Sequence, residues 1–306
     1  MTEASDGQPP KDRPRPSGEQ LAEHLSELLT VEEIDRDVYR GPLNPYSKGR
    51  VFGGQVIAQA LAAASATVDP DRRIHSLHAY FLRPGDSDLP ILHLVDRDFD
   101  GGTFSNRRVV ARQNGMPILN LVASFQRPEE GYDHARPMPD VPPPEEVMTN
   151  EEAVAAHGDA LPEQVKKFLL RSHPLDIRRV ANGVPFALEP KEPEQHMWFR
   201  LRSKLPGDDV QQHRIVLAYA TDIGLLSTSM LPHGESWLTG NIIAASIDHA
   251  VWFHADAPVD EWLLYTMESP WAGHGRGHNY GRIYTRDGTL VADIAQEGLI
   301  RRRRPK

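Results

Sequence analysis

Three polar residues stand where the surrounding chain is apolar, and together they could activate a water molecule. Asp222 interrupts the run Leu217-Ala-Tyr-Ala-Thr-Asp-Ile-Gly-Leu-Leu. Aspartate is a poor helix-interior residue, and a carboxylate among apolar groups loses its solvation unless something pairs with it. Burial raises the pKa of such a group, and a carboxylate poised in that way can take a proton from water. The same side chain could instead bond to neighbouring hydroxyls or face solvent, and composition alone does not choose. Ser246, in Ile243-Ala-Ala-Ser-Ile-Asp-His, and Gln296, in Ile294-Ala-Gln-Glu-Gly-Leu-Ile, are neutral polar groups in runs that otherwise read as core strands. Either could be spent on hydrogen bonds within a sheet. A water held by a carboxylate, a hydroxyl and an amide would be oriented as well as activated.

The elements that must position these residues are legible from periodicity. Residues 210–230 are largely apolar and predict a helix carrying Asp222; 244–254 and 290–300 predict strands carrying Ser246 and Gln296. Further strands are expected at 174–180, 195–202, 262–268 and 279–285. The first half has the same order. Residues 51–68 are Ala-rich and almost uncharged, so the helix they predict should be buried. Gly53 and Gly54 stand at its start, where backbone N–H groups are left bare. Strands follow at 74–82, 89–97, 104–112 and 117–126, with Asn114-Gly115 marking a hairpin. At an offset of 172, Tyr80-Phe81 falls on Trp252-Phe253 and Ile91-Leu92 on Leu263-Leu264. That is the signature of an internal duplication, although two antiparallel meanders share some likeness for no deeper reason. A buried helix followed by a meander, twice over, is an α+β layout. Residues 17–29 predict a short amphipathic helix, 127–147 an extended Pro-rich linker, and 151–170 a helical stretch. The division expected is a disordered lead over 1–20, one domain over 21–127, linker and connecting helix over 128–164, and a second domain over 165–306.

Composition narrows the chemistry. The chain has 306 residues with 34 basic and 43 acidic side chains, and its net charge of −9 argues against nucleic acid as a partner. The run Arg301-Arg302-Arg303-Arg304 is the local exception, read as a solvated tail or as a neighbour of a phosphate-bearing ligand. With no cysteine, thiolate nucleophiles, disulfides and Cys-ligated metals are excluded. Residues 1–20 lack the apolar core of a secretory signal, and no run approaching the ~20 apolar residues of a membrane span is evident. A cytoplasmic location with no membrane partner is therefore expected. No phosphate-binding Gly-rich loop, nucleophile elbow or His-Glu-x-x-His motif occurs. His75 with His78 and His274 with His278 are the histidine pairs closest to metal-ligand spacing, but neither has a third ligand nearby in sequence. Neither a metal nor a cofactor is expected.

Four segments together carry a family resemblance: Gly53-Gly-Gln-Val-Ile-Ala-Gln-Ala-Leu, His75-Ser-Leu-His-Ala-Tyr-Phe-Leu-Arg-Pro-Gly-Asp, Ser246-Ile-Asp-His-Ala-Val-Trp-Phe-His and Gln296-Glu-Gly-Leu-Ile-Arg. In these the chain resembles the bacterial acyl-CoA thioesterase II family, from about Leu21 to Arg302. The resemblance implies a tandem double hotdog, each half a long helix wrapped by a curved antiparallel sheet. It implies hydrolysis of acyl-CoA to fatty acid and CoA, with an Asp, a Thr and a Gln holding the attacking water. The Asp carries over to Asp222 and the Gln to Gln296. The Thr position holds Ser246, a departure that keeps the hydroxyl. The first half has near Ile74 the position answering Ser246 and near Ala123 the one answering Gln296, so one site per chain is expected. Gly53, Gly54 and Gln55 are expected to shape the acyl or thioester pocket, and a homodimer or homotetramer is expected by analogy. Two rival readings stand beside this one: a non-catalytic acyl-CoA binder or sensor, and an enoyl-CoA hydratase. The hydratase motif Asp-x-Asn-x-x-His does not occur.

Overall fold

The computed structural model describes residues 16–180, 188–205 and 209–303. Most of the expected lead, residues 1–15, and Arg304 at the end of the basic run lie outside the described residues. Helix α1 (Gly18–Leu28) begins at Ser17, whose hydroxyl and the Gln20 side chain cap each other's backbone N–H groups. Ala22, Leu25 and Leu28 are its buried stripe. The first half continues as β1 (Glu32–Asp35), β2 (Val38–Gly41), α2 (Gly53–Ser65), β3 (Arg73–Phe81), β4 (Ile91–Asp100), β5 (Phe104–Gln113) and β6 (Met116–Gln126). An extended segment then leads to α3 (Asn150–His157) and α4 (Glu163–Leu169). The second half is β7 (Leu175–Val180), β8 (Glu194–Leu201), α5 (Val210–Thr221), a 3-10 turn (Leu225–His233), β9 (Ile242–Ser246), β10 (Asp248–Phe253), β11 (Leu263–Gly273), β12 (Arg276–Thr285) and β13 (Leu290–Arg302).

These strands form one antiparallel sheet in the order β1-β2-β4-β5-β6-β3-β10-β13-β12-β11-β8-β7, with β9 also on β13. The halves meet where β3 pairs with β10, and there His78 stands opposite Ala250, its own counterpart at the offset of 172. A pseudo-twofold axis therefore passes between these two residues. The central helices α2 and α5 lie side by side and antiparallel: Gln211 at the start of α5 bonds Ser65 at the end of α2, and Gly54 at the start of α2 packs on Tyr219 near the end of α5. The Ala-rich body of α2 allows this close approach and is buried over almost its whole length. The molecule is a tandem double hotdog.

Four elements differ from the sequence reading. The β1–β2 hairpin is absent from it, because Glu-Glu-Ile-Asp is exposed at every position and shows no alternation. The helical stretch at 151–170 is two short helices around Pro162. The helix over 210–230 stops at Thr221: Asp222 is its C-cap, and Gly224 at φ 83° takes the left-handed conformation that a right-handed helix cannot continue through. The whole of Val210–His233 is long and apolar enough to cross a membrane, contrary to the run-length reading, but it is divided at Gly224 and its most apolar window is 56% buried. The strand over 244–254 is also two strands, parted at Ile247. Ser246 pairs with Gly298 while Ala250 pairs with Ala295, so the register slips by one residue between them. A bulge of this kind bends a strand and re-aims its side chains.

Candidate active site

That bulge assembles the site. In a regular strand residues 246 and 249 would point to opposite faces, being an odd number apart. With one extra residue between them, Ser246 and His249 both turn toward Gln296 of β13. Asp222 reaches the same point from the end of α5. Gln296 Nε2 lies 2.7 Å from Asp222 Oδ1, 3.1 Å from Ser246 Oγ and 3.0 Å from His249 Nδ1. The Ser246 hydroxyl donates to Asp222 Oδ1 over 3.3 Å, a long bond that leaves the hydroxyl free to turn.

The N-terminus of α2 faces the same carboxylate. Phe52 at the N-cap offers it no side-chain acceptor, and the Gly54 N–H donates to Asp222 instead. The glycines are required by distance. A Cβ on Gly53 would sit 2.6 Å from Asp222 Oδ2, and one on Gly54 would sit 2.4 Å from the Tyr219 carbonyl oxygen. Helix dipole, Gln296 and Ser246 all favour the ionised form. Desolvation outweighs them and pushes the Asp222 carboxyl up to about 6, leaving it a base at neutral pH that can still be protonated in mild acid.

Asp222, Ser246 and Gly53 line a cavity of about 1590 Å³, whose walls near them include Phe52, Phe81, Tyr219 and Leu226. Lys48, Arg50, Arg83, Arg171 and Arg202 line it too. Gln296 does not reach this surface. It is fully buried behind Asp222 and Ser246 and bonds to both. The structure thus brings the three expected residues together, but as two groups at the cavity and one supporting them. Gln55 is buried and lines a separate small pocket with Pro42, Ser47 and Ile91, away from Asp222. His249 is the residue sequence reasoning missed.

The histidine pairs are engaged elsewhere. His75 bonds Ser124 and His78 stacks edge-on against Trp252. His274 sits at the β11–β12 turn with φ 52°, and His278 packs on Tyr280. Gly273, Gly275 and Gly277 around His274 belong to the β11–β12 hairpin. Among the described residues no group of three or more His, Asp or Glu side chains is placed to hold a metal ion.

Two helices wrapped by one sheet, with an ionisable carboxylate and a hydroxyl at a large cavity, define a double-hotdog protein equipped for hydrolysis. Family models describe which one. The acyl-CoA thioesterase N-terminal domain matches residues 42–126, and the acyl-CoA thioesterase C-terminal domain matches residues 140–300. Human acyl-coenzyme A thioesterase 8 is 38% identical over 303 residues, covering 97% of this chain and 94% of that protein. Acyl-CoA thioesterase 2 of Haemophilus influenzae is 37% identical over 281 residues, covering 92% of this chain and 98% of that protein. Among solved structures, acyl-CoA thioesterase II TesB2 from Mycobacterium marinum superposes with a TM-score of 0.75 at 38% identity, covering 91% of this chain and 98% of that one. The chain belongs to the acyl-CoA thioesterase II family.

Proposed function

We propose that Asp222 is the general base of a thioester hydrolysis and that acyl-CoA is the substrate. The chain is an acyl-CoA thioesterase, a thioester hydrolase; membership of the family supports that activity over a non-catalytic acyl-CoA binder and over a hydratase. One observation carries the mechanism: a desolvated carboxylate with its pKa pushed up to about 6 lines a large cavity, beside a hydroxyl and the N-terminus of α2.

Water enters between Asp222 and Ser246. Gln296 and Ser246 engage Asp222 Oδ1, so Oδ2 takes neither of those bonds. The carboxylate accepts a proton as the water oxygen attacks the thioester carbonyl carbon, and the Ser246 hydroxyl orients that water. The developing oxyanion faces the α2 N-terminus at Gly53, where the helix dipole and the bare N–H stabilise negative charge. Collapse of the tetrahedral intermediate expels CoA as its thiolate, a leaving group good enough to need no strong acid. The apolar walls accept the acyl chain, and Lys48, Arg50, Arg83, Arg171 and Arg202 offer charge to the phosphates of CoA. Gln55, facing the separate pocket, acts on the substrate only through the shape of α2.

The same reading places the division between domains at the Pro-rich segment over 128–164, and the enzyme in the cytoplasm and in fatty-acid metabolism. It is proposed to assemble as a homodimer or homotetramer. Exposed Tyr80, Val122, Trp252 and Tyr280 on the outer face of the sheet support self-association, and the charge of −9 supports a partner set without nucleic acid. The test is thiol release from a panel of acyl-CoAs of different chain length. Turnover above the no-enzyme rate on at least one of them is expected; no release on any of them would overturn the reading.

A further inference from the structure

We infer that His249 is a positioning residue for this reaction: it fixes the Gln296 amide so that the amide nitrogen, not the oxygen, serves Asp222. The inference rests on the general-base reading of Asp222 and adds a residue to it. The argument is a count of hydrogens. Gln296 Nε2 carries two N–H bonds and has three acceptor atoms within 3.1 Å: Asp222 Oδ1, His249 Nδ1 and Ser246 Oγ. The carboxylate at 2.7 Å decides the orientation of the amide, since its oxygen placed there would repel. One hydrogen therefore goes to Asp222. The Ser246 hydroxyl brings its own hydrogen to the same carboxylate. The second amide hydrogen goes to His249 Nδ1, which must be an unprotonated acceptor.

His249 is held in that state from its other side. Its Nε2 lies 2.8 Å from Thr221 Oγ1, whose own hydrogen goes to the Ala218 carbonyl oxygen at 2.8 Å. Nε2 must then donate, and the tautomer is set: hydrogen on Nε2, lone pair on Nδ1. Burial holds the imidazole neutral, its pKa lowered to about 3, so it does not gain the proton that would turn Nδ1 into a donor. The relay runs from the last turn of α5, through Thr221 and His249, to Gln296, and back to Asp222 at the cap of the same helix. Among the described residues nothing donates to Gln296 Oε1. The side chain is therefore oriented through its nitrogen alone, with His249 as the neutral anchor. His249 does not touch substrate, and its effect passes through Gln296.

The test compares His249→Leu, which removes both bonds, with His249→Asn, which restores an acceptor near the place of Nδ1. His249→Leu is expected to lower kcat by roughly 10- to 100-fold with KM little changed, and to move the acid limb of the kcat–pH profile upward as Asp222 loses a fixed donor. His249→Asn is expected to recover most of both effects. Wild-type kcat and acid limb in the leucine variant, or equal loss in both variants, would overturn the inference. Should the leucine variant fail to fold, ¹⁵N NMR of the wild-type imidazole decides: the Nε2–H tautomer is expected from pH 5.5 to 8.5, and an Nδ1–H tautomer or an imidazolium overturns it. Asp222→Asn run alongside separates the two claims. If that variant keeps its turnover, both fall; if it is inactive while His249→Leu is unaffected, only the inference about His249 falls.

Discussion

The ends of the two central helices have the same scaffold and opposite contents. Beyond α5 the sheet presents Ser246, His249 and Gln296 to Asp222. The matching positions beyond α2 are Ile74, Leu77 and Ala123, and all three are fully buried. The bulge is present there as well: Ile74 pairs with Phe125 and Ser76 with Ser124, the same one-residue slip. Instead of a polar network facing a cavity, that end is closed by a guanidinium. Arg107 stands opposite Ala123 as Asn279 stands opposite Gln296. Its side chain is 1% exposed and donates to Thr67 Oγ1, Thr67 O, Phe99 O, Asn106 O and Asp100. The helix N-termini differ likewise. Asp209 caps α5 with its own carboxylate, whereas α2 borrows Asp222 from the other half. The backbone device is kept at both ends; at one it serves chemistry, at the other cohesion.

The sharpest way to break this comparison is to damage both ends and measure both properties. Asp222→Asn is expected to lower kcat by roughly 10²–10⁴ while leaving the fold intact; near-wild-type thiol release in that variant would remove the distinction. Arg107→Met should do the reverse, costing about 3 kcal/mol in urea unfolding by leaving buried carbonyls unpaired, with kcat per folded molecule unchanged. Ala123→Gln puts the Gln296 side chain type in the filled half. Overpacking there should cost about 1–3 kcal/mol and create no second activity, since the C-cap of α2 is Ala66 where α5 has Asp222. A gain in turnover on the Asp222→Asn background would contradict this.

Titration sharpens the same contrast. The native pKa of Asp222, about 6, lies above the ordinary carboxylate value. The folded protein therefore binds more protons at this group than the unfolded chain does. Its contribution to stability declines as pH rises toward 6 and is a constant penalty above that. Two outcomes follow: kcat/KM falls below about pH 6, and Asp222→Asn raises Tm more at pH 8 than at pH 4.5. Arg107→Met should show the opposite signature: against desolvation, Ser105 and Arg107 hold the Asp100 carboxyl below its ordinary value, so the cost of losing Arg107 shrinks as pH falls through the carboxylate range. The smallest effect is expected for Ser246→Thr, within about 3-fold of wild-type kcat, because the hydroxyl that orients water is kept; Ser246→Ala should lose more than Ser246→Thr does.

What the chain discloses before folding follows from how local each signal is. The buried α2, the meanders and the duplication rest on runs of a dozen or more residues, and those were legible. Asp222 stands out by its chemistry, but the run around it reads as helix interior because the left-handed turn at Gly224 looks like any other glycine in an apolar run. β1 has no buried face to give it periodicity, and β2 is only four residues long. His249 was not legible at all. Its spacing from Ser246 argues against a shared face, and the slip that overrides the spacing depends on pairing with β13, dozens of residues away in the chain. Adjacency groups Gln55 with Gly53 and Gly54, yet on a helix neighbours in sequence point in different directions.

The seam between β3 and β10 has one more consequence, which concerns inheritance. A pair of identical subunits meeting across a true twofold axis carries every substitution twice, so neither site can be given up without losing both. Here the two halves are written separately in one chain. Ile74, Leu77, Ala123 and Arg107 could depart from their partners while Ser246, His249, Gln296 and Asn279 stayed polar. The seam keeps the geometry of a symmetric pair and releases the chain from its arithmetic.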